Sequence, residues 1–261
     1  MISQYQKPRV GDGESLFEPL TPQPAYRRVS AAIERKILER SLRPGDLLPT
    51  ETELAKQFAV NRSTVREALR QLESTGLVGR ASGSKKMLVT RPDQQDTATH
   101  ISRALALDEV TVLELWEAML VIAPRLAALA ASRDHEATLS RLQAAAGAVE
   151  LARSTNAAVK AVGDYFGRLA ELSGNRVLIL AMQPVISLLA PSLKRMIDRV
   201  PRGRERIVVA QRRIIDALAA GDAGKAEKWM TRHVQDFRRG YELAGIALDT
   251  RAAAARPRSG D

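Results

Sequence analysis

The chain has 261 residues, which is enough for two modest domains, each with its own core. Its 40 Lys and Arg outnumber its 30 Asp and Glu, and the net charge of +10 favours polyanionic partners such as nucleic acid. The absence of cysteine excludes disulfides and thiol nucleophiles, and an aromatic content of 4% favours packed helices over sheets. No apolar run approaches the roughly 18 residues of a membrane span, and the first residues lack a signal-peptide core, so we expect a cytoplasmic protein.

Composition and patterning divide the chain into five segments. Gly and Pro without periodicity predict a flexible arm over residues 1–23. We predict a first domain over 24–91, a polar linker over 92–97 and a helical domain over 98–248. A basic, alanine-rich tail over 249–261 is expected to be frayed.

The first domain begins with two predicted helices. An apolar residue recurs at every fourth position from Val29 to Ile37, which predicts a helix that ends before a Pro-Gly turn. Thr50 and Glu53 have the spacing of a capping box, which predicts a second helix from residue 51 to about 58.

A third helix and a hairpin follow. After a break at 59–61, apolar residues recur at helical spacing from Val65 to Leu72, and short apolar runs at 77–78 and 87–89 bracket a basic tip. Two short helices joined by a short turn and followed by a hairpin form a winged helix-turn-helix, whose second helix enters the major groove of DNA. We therefore predict a mainly α protein with an N-terminal winged helix-turn-helix.

Polar and basic residues cluster at the start of the third helix, where side chains could reach base edges. Arg62 and Arg66 lie four residues apart and share a face, and an arginine can make two hydrogen bonds to guanine, worth about 1–3 kcal/mol of discrimination. The alternative is a solvated helix face with Glu67 and Glu73 as partners. The order of helix, capped helix, helix and basic hairpin favours DNA binding.

Residues 48–55 and 60–78 closely resemble the N-terminal domain of GntR-family bacterial regulators. The resemblance implies that Arg62, Thr64 and Arg66 contact DNA. Pattern and resemblance together give the candidate DNA-binding residues, which are Thr50, Thr52, Asn61, Arg62, Ser63, Thr64, Arg66, Gly83, Lys85 and Lys86.

Three positions of this region bear on how DNA would be contacted. The resemblance implies that Gly83 lets the wing tip approach the minor groove. Thr52 stands where the family commonly has Arg, so one DNA contact is expected to be missing. Ala59 stands where the turn commonly has Gly, and a left-handed conformation there would cost about 1 kcal/mol.

The second half of the chain has helical periodicity throughout. Thr111 and Glu114 form another capping box, and Pro124, Pro184 and Pro191 are expected to kink or break their helices. The predicted helices cover residues 97–107, 111–132, 136–152, 155–173, 176–197, 203–220 and 223–247.

This half resembles the FCD effector domain of the fatty-acid-regulator subfamily of GntR proteins. The matching stretches are 115–124, 126–131, 172–175, 215–222 and 230–233. Many such domains hold a divalent metal through one Asp and three His. The resemblance places Val162, Phe166 and Gln211 at three of these four positions, and only His233 remains. We therefore predict no metal and no other cofactor.

The resemblance also places Met119 where the family has Arg. The apolar replacements Met119, Val162 and Phe166 predict a drier cavity, suited to an apolar or amphipathic effector, with Gln211 and His233 as its polar groups. The candidate effector-binding residues are Met119, Val162, Phe166, Gln211 and His233. The alternative is that they pack as ordinary core residues.

The predicted function is a sequence-specific transcriptional regulator, a dimeric repressor on a palindromic operator. Its operator affinity would be controlled by a small carboxylate or acyl-type metabolite bound in the helical domain. One alternative is an enzyme fused to a DNA-binding domain, but the second half has no nucleophile motif or phosphate-binding loop. The other is a sequence-tolerant nucleoid protein without an effector, which would bind random and promoter DNA alike.

Overall fold

The computed structural model describes residues 23–81, 83, 86–133 and 136–252, the side chains of 136–138 excepted. The described residues form ten helices and one two-stranded sheet, which confirms the mainly α class. The elements are α1 (Ala25–Leu38), α2 (Glu51–Phe58), α3 (Arg62–Ser74), β1 (Val78–Arg80), β2 (Met87–Val89), α4 (Gln94–Leu107), α5 (Val112–Ala131), α6 (Glu136–Leu151), α7 (Thr155–Ser173), α8 (Arg176–Arg199), α9 (Gly203–Ala219) and α10 (Ala223–Leu243).

The chain forms two compact units, and the boundary between them lies between Pro92 and Asp93. In the first unit, α1 and α2 both pack against α3, and the antiparallel β1–β2 hairpin pairs Val78 with Val89. The core is apolar and draws on all of these elements; its buried members include Val29, Ile33, Leu54, Val65, Leu69, Leu72 and Val89. The three helices and the hairpin agree with the winged helix-turn-helix that the sequence predicts.

Local signals set the turn between α2 and α3. The Thr50 hydroxyl accepts a hydrogen bond from the Glu53 amide at 3.3 Å, and the Glu53 carboxylate accepts one from the Thr50 amide at 2.7 Å, so the capping box is confirmed. Ala59 ends α2 in the left-handed region, with φ 52° and ψ 45°. A residue with a Cβ is therefore strained at this turn.

The second unit is a helical bundle in which α5 packs against α10, α7 and α8. The Trp116 indole N–H on α5 donates a hydrogen bond to the carbonyl of Val234 on α10 at 2.8 Å, which ties the two central helices together. The Thr111–Glu114 capping box at the start of α5 is also confirmed. The prolines inside α5 and α8 break neither helix.

Two predicted boundaries need correction. Residues 94–97, assigned to the linker by sequence, form the first turn of α4, because the Asp93 carboxylate accepts hydrogen bonds from the amides of Gln95 and Asp96. Residues 249–252, assigned to the tail, are not frayed. The Ala252 amide bonds the carbonyl of Val110, and Arg251 pairs with Glu109 at 2.6 Å.

The expectation that no segment is long and apolar enough to cross a membrane is wrong for α8. This 24-residue helix contains an 18-residue window of mean hydropathy 1.6. Length and composition alone are weak evidence of a span, because a core helix of a soluble domain has the same properties. In the fold, α8 packs against α4, α5 and α7, and its buried side chains belong to the core of the second unit.

Candidate nucleic-acid interface and effector cavity

The start of α3 presents polar side chains to solvent while its opposite face is buried. Asn61 caps the helix with an extended backbone and makes no side-chain capping hydrogen bond. Asn61, Arg62, Ser63 and Arg66 are exposed and Thr64 is half-buried, whereas Val65 has no exposed surface. The helix is therefore fixed to the core by one face and offers the predicted residues on the other.

The remaining candidate residues flank this face. Thr50 and Thr52 are exposed at the start of α2, and Lys86 is exposed beside β2. Gly83 has a φ of 69°, and a Cβ added there would meet none of the described residues within 4 Å, so they leave room for a close approach at this glycine. Lys85 lies outside the described residues.

A concave surface of about 510 Å³, which we call the α3 groove, brings five of the candidate residues together: Thr50, Thr52, Arg62, Arg66 and Lys86. Asn61, Ser63, Thr64 and Gly83 do not line it. It is lined by the start of α2, the outer face of α3 and the base of the wing. Its charged residues are Glu51, Arg62, Arg66, Arg70, Glu73, Arg80 and Lys86. Cations outnumber carboxylates, so the groove attracts a polyanion.

Three ion pairs involve residues of α3. Glu67 and Glu73, the partners considered from sequence, contact Arg70 at 3.7 Å and Arg80 at 3.9 Å. Arg66 instead pairs with Glu51, at 3.0 Å. Because the Glu51 side chain accepts hydrogen bonds from Arg66, the pKa of its carboxyl lies below the usual value.

Sequence reasoning missed Glu51 because the pair joins two helices. Periodicity within one helix carries no signal for this pair, because the contact depends on the angle at which α2 and α3 pack.

In the second unit, a cavity of about 340 Å³ lies among α4, α5, α7, α8 and α10. We call it the α7–α8 cavity. Its wall includes three of the predicted effector residues, Met119, Val162 and Phe166, all of them buried. Its mouth carries polar side chains, among them Lys160 and Gln183, which sequence reasoning did not single out.

Gln211 and His233, the other two predicted effector residues, are buried and are not among the residues that line this cavity. The His233 ring stacks on Phe166 with 5.8 Å between centroids, and it lies 4.6 Å from the ring of Phe237. Burial lowers the pKa of His233 to about 3, so its imidazole is neutral at physiological pH. Among the described residues, its Nε2 has no hydrogen-bond partner, nor does either amide atom of Gln211.

The surroundings of His233 do not fit a divalent metal ion. Among the described residues, no group of three or more His, Cys, Asp and Glu side chains is placed to hold one. The two rings nearest to the imidazole, those of Phe166 and Phe237, are apolar. A single neutral imidazole without carboxylate or further imidazole ligands is too small a donor set for a metal site.

Comparisons with known proteins match both units. Residues 25–85 match the family model described as bacterial regulatory proteins, gntR family, and residues 114–236 match that of the FCD domain. The HTH-type transcriptional regulator LutR of Bacillus subtilis is 32% identical over 210 residues, which are 77% of this chain and 94% of LutR. The putative L-lactate dehydrogenase operon regulatory protein of Escherichia coli is 30% identical, over 79% of this chain and 81% of that protein.

A solved structure shares the fold. The GntR protein of Streptococcus agalactiae superimposes with a TM-score of 0.56 at 26% sequence identity, over 82% of this chain and 99% of that one.

Proposed function

Because this chain belongs to the gntR family of bacterial regulatory proteins and carries an FCD domain, it is an effector-controlled transcriptional regulator, not an enzyme, and we propose how it reads DNA. The observation that carries the proposal is the exposed basic face of α3 beside the α3 groove. Arg62, Thr64 and Arg66 contact base edges in the major groove. Thr50, Thr52, Asn61 and Ser63 contact the sugar-phosphate backbone, and the wing residues Gly83, Lys85 and Lys86 approach the minor groove.

A gel-shift series with Arg66→Ala tests the assignment of α3. Loss of a bidentate contact should weaken binding to the preferred sequence about 5- to 150-fold, with a smaller effect on random DNA. The matched control is Arg35→Ala, which removes an exposed arginine from α1 of the same unit. If Arg66→Ala leaves both the affinity and the sequence preference unchanged, α3 does not recognise bases through Arg66.

The protein acts, in this proposal, as a homodimeric repressor on the bacterial nucleoid. A two-fold protein reads a palindrome whose half-sites lie about one helical turn apart. A symmetric footprint on the DNA upstream of its own gene, together with a dimer mass in solution, is the expected result. Equal affinity for random and upstream DNA would instead support the sequence-tolerant nucleoid protein.

The α7–α8 cavity is the proposed effector site, and it needs no metal. Its floor is apolar, with Met119, Phe166 and Leu193 among its residues, so it suits the apolar part of an amphipathic molecule. The charged residues of its wall are Lys160, Asp164 and Glu171. Glu171 pairs with Arg168 at 2.9 Å, whereas Lys160 makes no ion pair within the described part of the chain. Lys160 is therefore placed to bind the carboxylate of such a molecule.

Octanoate and octanamide are matched probes of this site, because they share a tail and differ in charge. Octanoate should raise the Tm of the protein more than octanamide does, and Lys160→Gln should abolish that difference. Filling the cavity with Ala190→Leu should weaken the response to both probes. If Ala190→Leu leaves both responses unchanged, the ligand binds elsewhere.

A further inference from the structure

Glu51 holds the guanidinium of Arg66 by one edge. Its carboxylate accepts hydrogen bonds from Nε of Arg66 at 3.3 Å and from Nη2 at 3.0 Å. The Thr50–Glu53 capping box fixes the first turn of α2, and buried Leu54 and Ala55 fix the helix to the core of the unit. Glu51 is thus presented to α3 by a rigid element.

The remaining edge of the guanidinium is free to read a base. An arginine has five N–H donors, and a carboxylate that engages Nε and Nη2 leaves the Nη1 hydrogens and one on Nη2. Those donors form the fork that matches O6 and N7 of guanine. The side chain of Arg66 is 53% exposed, so this edge can reach a ligand.

We infer that Glu51 is a specificity-determining positioning residue, which orients Arg66 for guanine and at the same time disfavours contacts with phosphate. The inference rests on the proposed base-reading role of Arg66. A long side chain loses rotamer freedom when it binds, at a cost of roughly 0.5–1.5 kcal/mol, and a side chain already held in place loses less. A carboxylate in the groove also repels phosphate oxygens, so an unoriented, sequence-independent approach of DNA is weakened.

A solvent-exposed ion pair that positions no ligand-binding side chain contributes little to folding or binding. Helix α3 contains an ion pair of this kind, which serves for comparison. Glu67 contacts Arg70 at 3.7 Å across one helical turn, with both side chains more than half exposed. Glu67→Gln removes the same charge from the same unit without affecting Arg66. It is therefore the matched control for Glu51→Gln.

The experiment is a selection of preferred sequences from a pool of DNA duplexes with a randomised 20-base-pair segment, using the full-length protein. Arg66→Ala first identifies the base position that Arg66 reads, as the position whose preference it loses. Glu51→Gln should reduce the preference at that position at least 5-fold and should tighten binding to unselected DNA 2-fold or more. Glu67→Gln should leave the preference unchanged, even where it also tightens binding to unselected DNA.

The outcomes separate this inference from the proposed function. If Arg66→Ala changes no base preference, the proposed role of α3 fails and the inference fails with it. If Arg66→Ala loses a preference that Glu51→Gln retains, only the inference is overturned. Glu51→Gln should add nothing to the loss in an Arg66→Ala background, whereas an independent loss there would show that Glu51 acts on another contact. Equal Tm values for the variants and the parent protein would exclude misfolding as the cause.

Discussion

Lowering the pH from 7.5 to 5.0 should destabilise the helical unit by about 2 kcal/mol through His233 alone. Its imidazole has a pKa of about 3 in the folded protein, because it is buried between aromatic rings, and a pKa near 6.5 once the chain unfolds. Between these two values the unfolded state binds a proton that the folded state does not bind, so the free energy of unfolding falls as the pH falls. At pH 5.0, about 1.5 units below the unfolded-state pKa, most unfolded chains carry this proton and almost no folded chains do. At about 1.4 kcal/mol per pH unit, the stability lost is about 2 kcal/mol.

Urea unfolding followed by tryptophan fluorescence measures this effect, because Trp116 and Trp229 both lie in the helical unit. His233→Phe keeps an aromatic ring in the stack and removes the titrating group, so its pH dependence should be weaker by about 2 kcal/mol. The control is His100→Gln, which removes an exposed histidine of α4 and should behave like the parent protein. Titrations elsewhere contribute equally to all three proteins and cancel in the comparison. Identical pH dependence in His233→Phe and the parent protein would refute the burial argument.

Three further substitutions have predicted outcomes. Ala59→Gly should stabilise the first unit by roughly 0.5–1 kcal/mol, because it relieves the left-handed strain at the end of α2, and slower hydrogen exchange in α2 and α3 would show it. Thr52→Arg should steepen the dependence of log K for DNA on log salt by about one unit, measured by gel shift at several KCl concentrations. Gln211→Leu should raise the free energy of unfolding by about 1–3 kcal/mol, since neither amide atom has a partner among the described residues. A loss of stability in urea would mean that the amide is hydrogen-bonded in solution.

Sequence reasoning succeeded where the determinants are local. The capping boxes at Thr50 and Thr111 predicted the starts of α2 and α5, because each depends only on residues within one helical turn. The left-handed conformation at Ala59 was indicated by the resemblance, because the family commonly has Gly at this turn, and the structure has a φ of 52° there. The start of α4 was missed although it has a local signal, the cap supplied by Asp93, since the polar run around it has the composition of a linker.

Contacts between helices could not be predicted from periodicity. The Glu51–Arg66 pair needs the angle between α2 and α3, and the α7–α8 cavity draws residues from five helices. The effect of Pro184 and Pro191 on α8 also depends on packing between helices, which periodicity does not reveal. Each removes one backbone hydrogen bond, yet α8 continues through both, since its packing against α4, α5 and α7 compensates for the loss.

The ring of Phe166 lies between the α7–α8 cavity and the imidazole of His233. It lines the α7–α8 cavity and also stacks on His233, which does not line the cavity. A ligand in the cavity therefore meets the phenyl ring before it can reach the imidazole. If the cavity is the effector site, as proposed above, selectivity for the polar end of an effector arises at the mouth, where Lys160 and Gln183 lie. His233 and Gln211 are buried and do not line the cavity. On this account a chelator should leave the effector response unchanged, because the described residues include no group of three or more side chains placed to hold a metal ion.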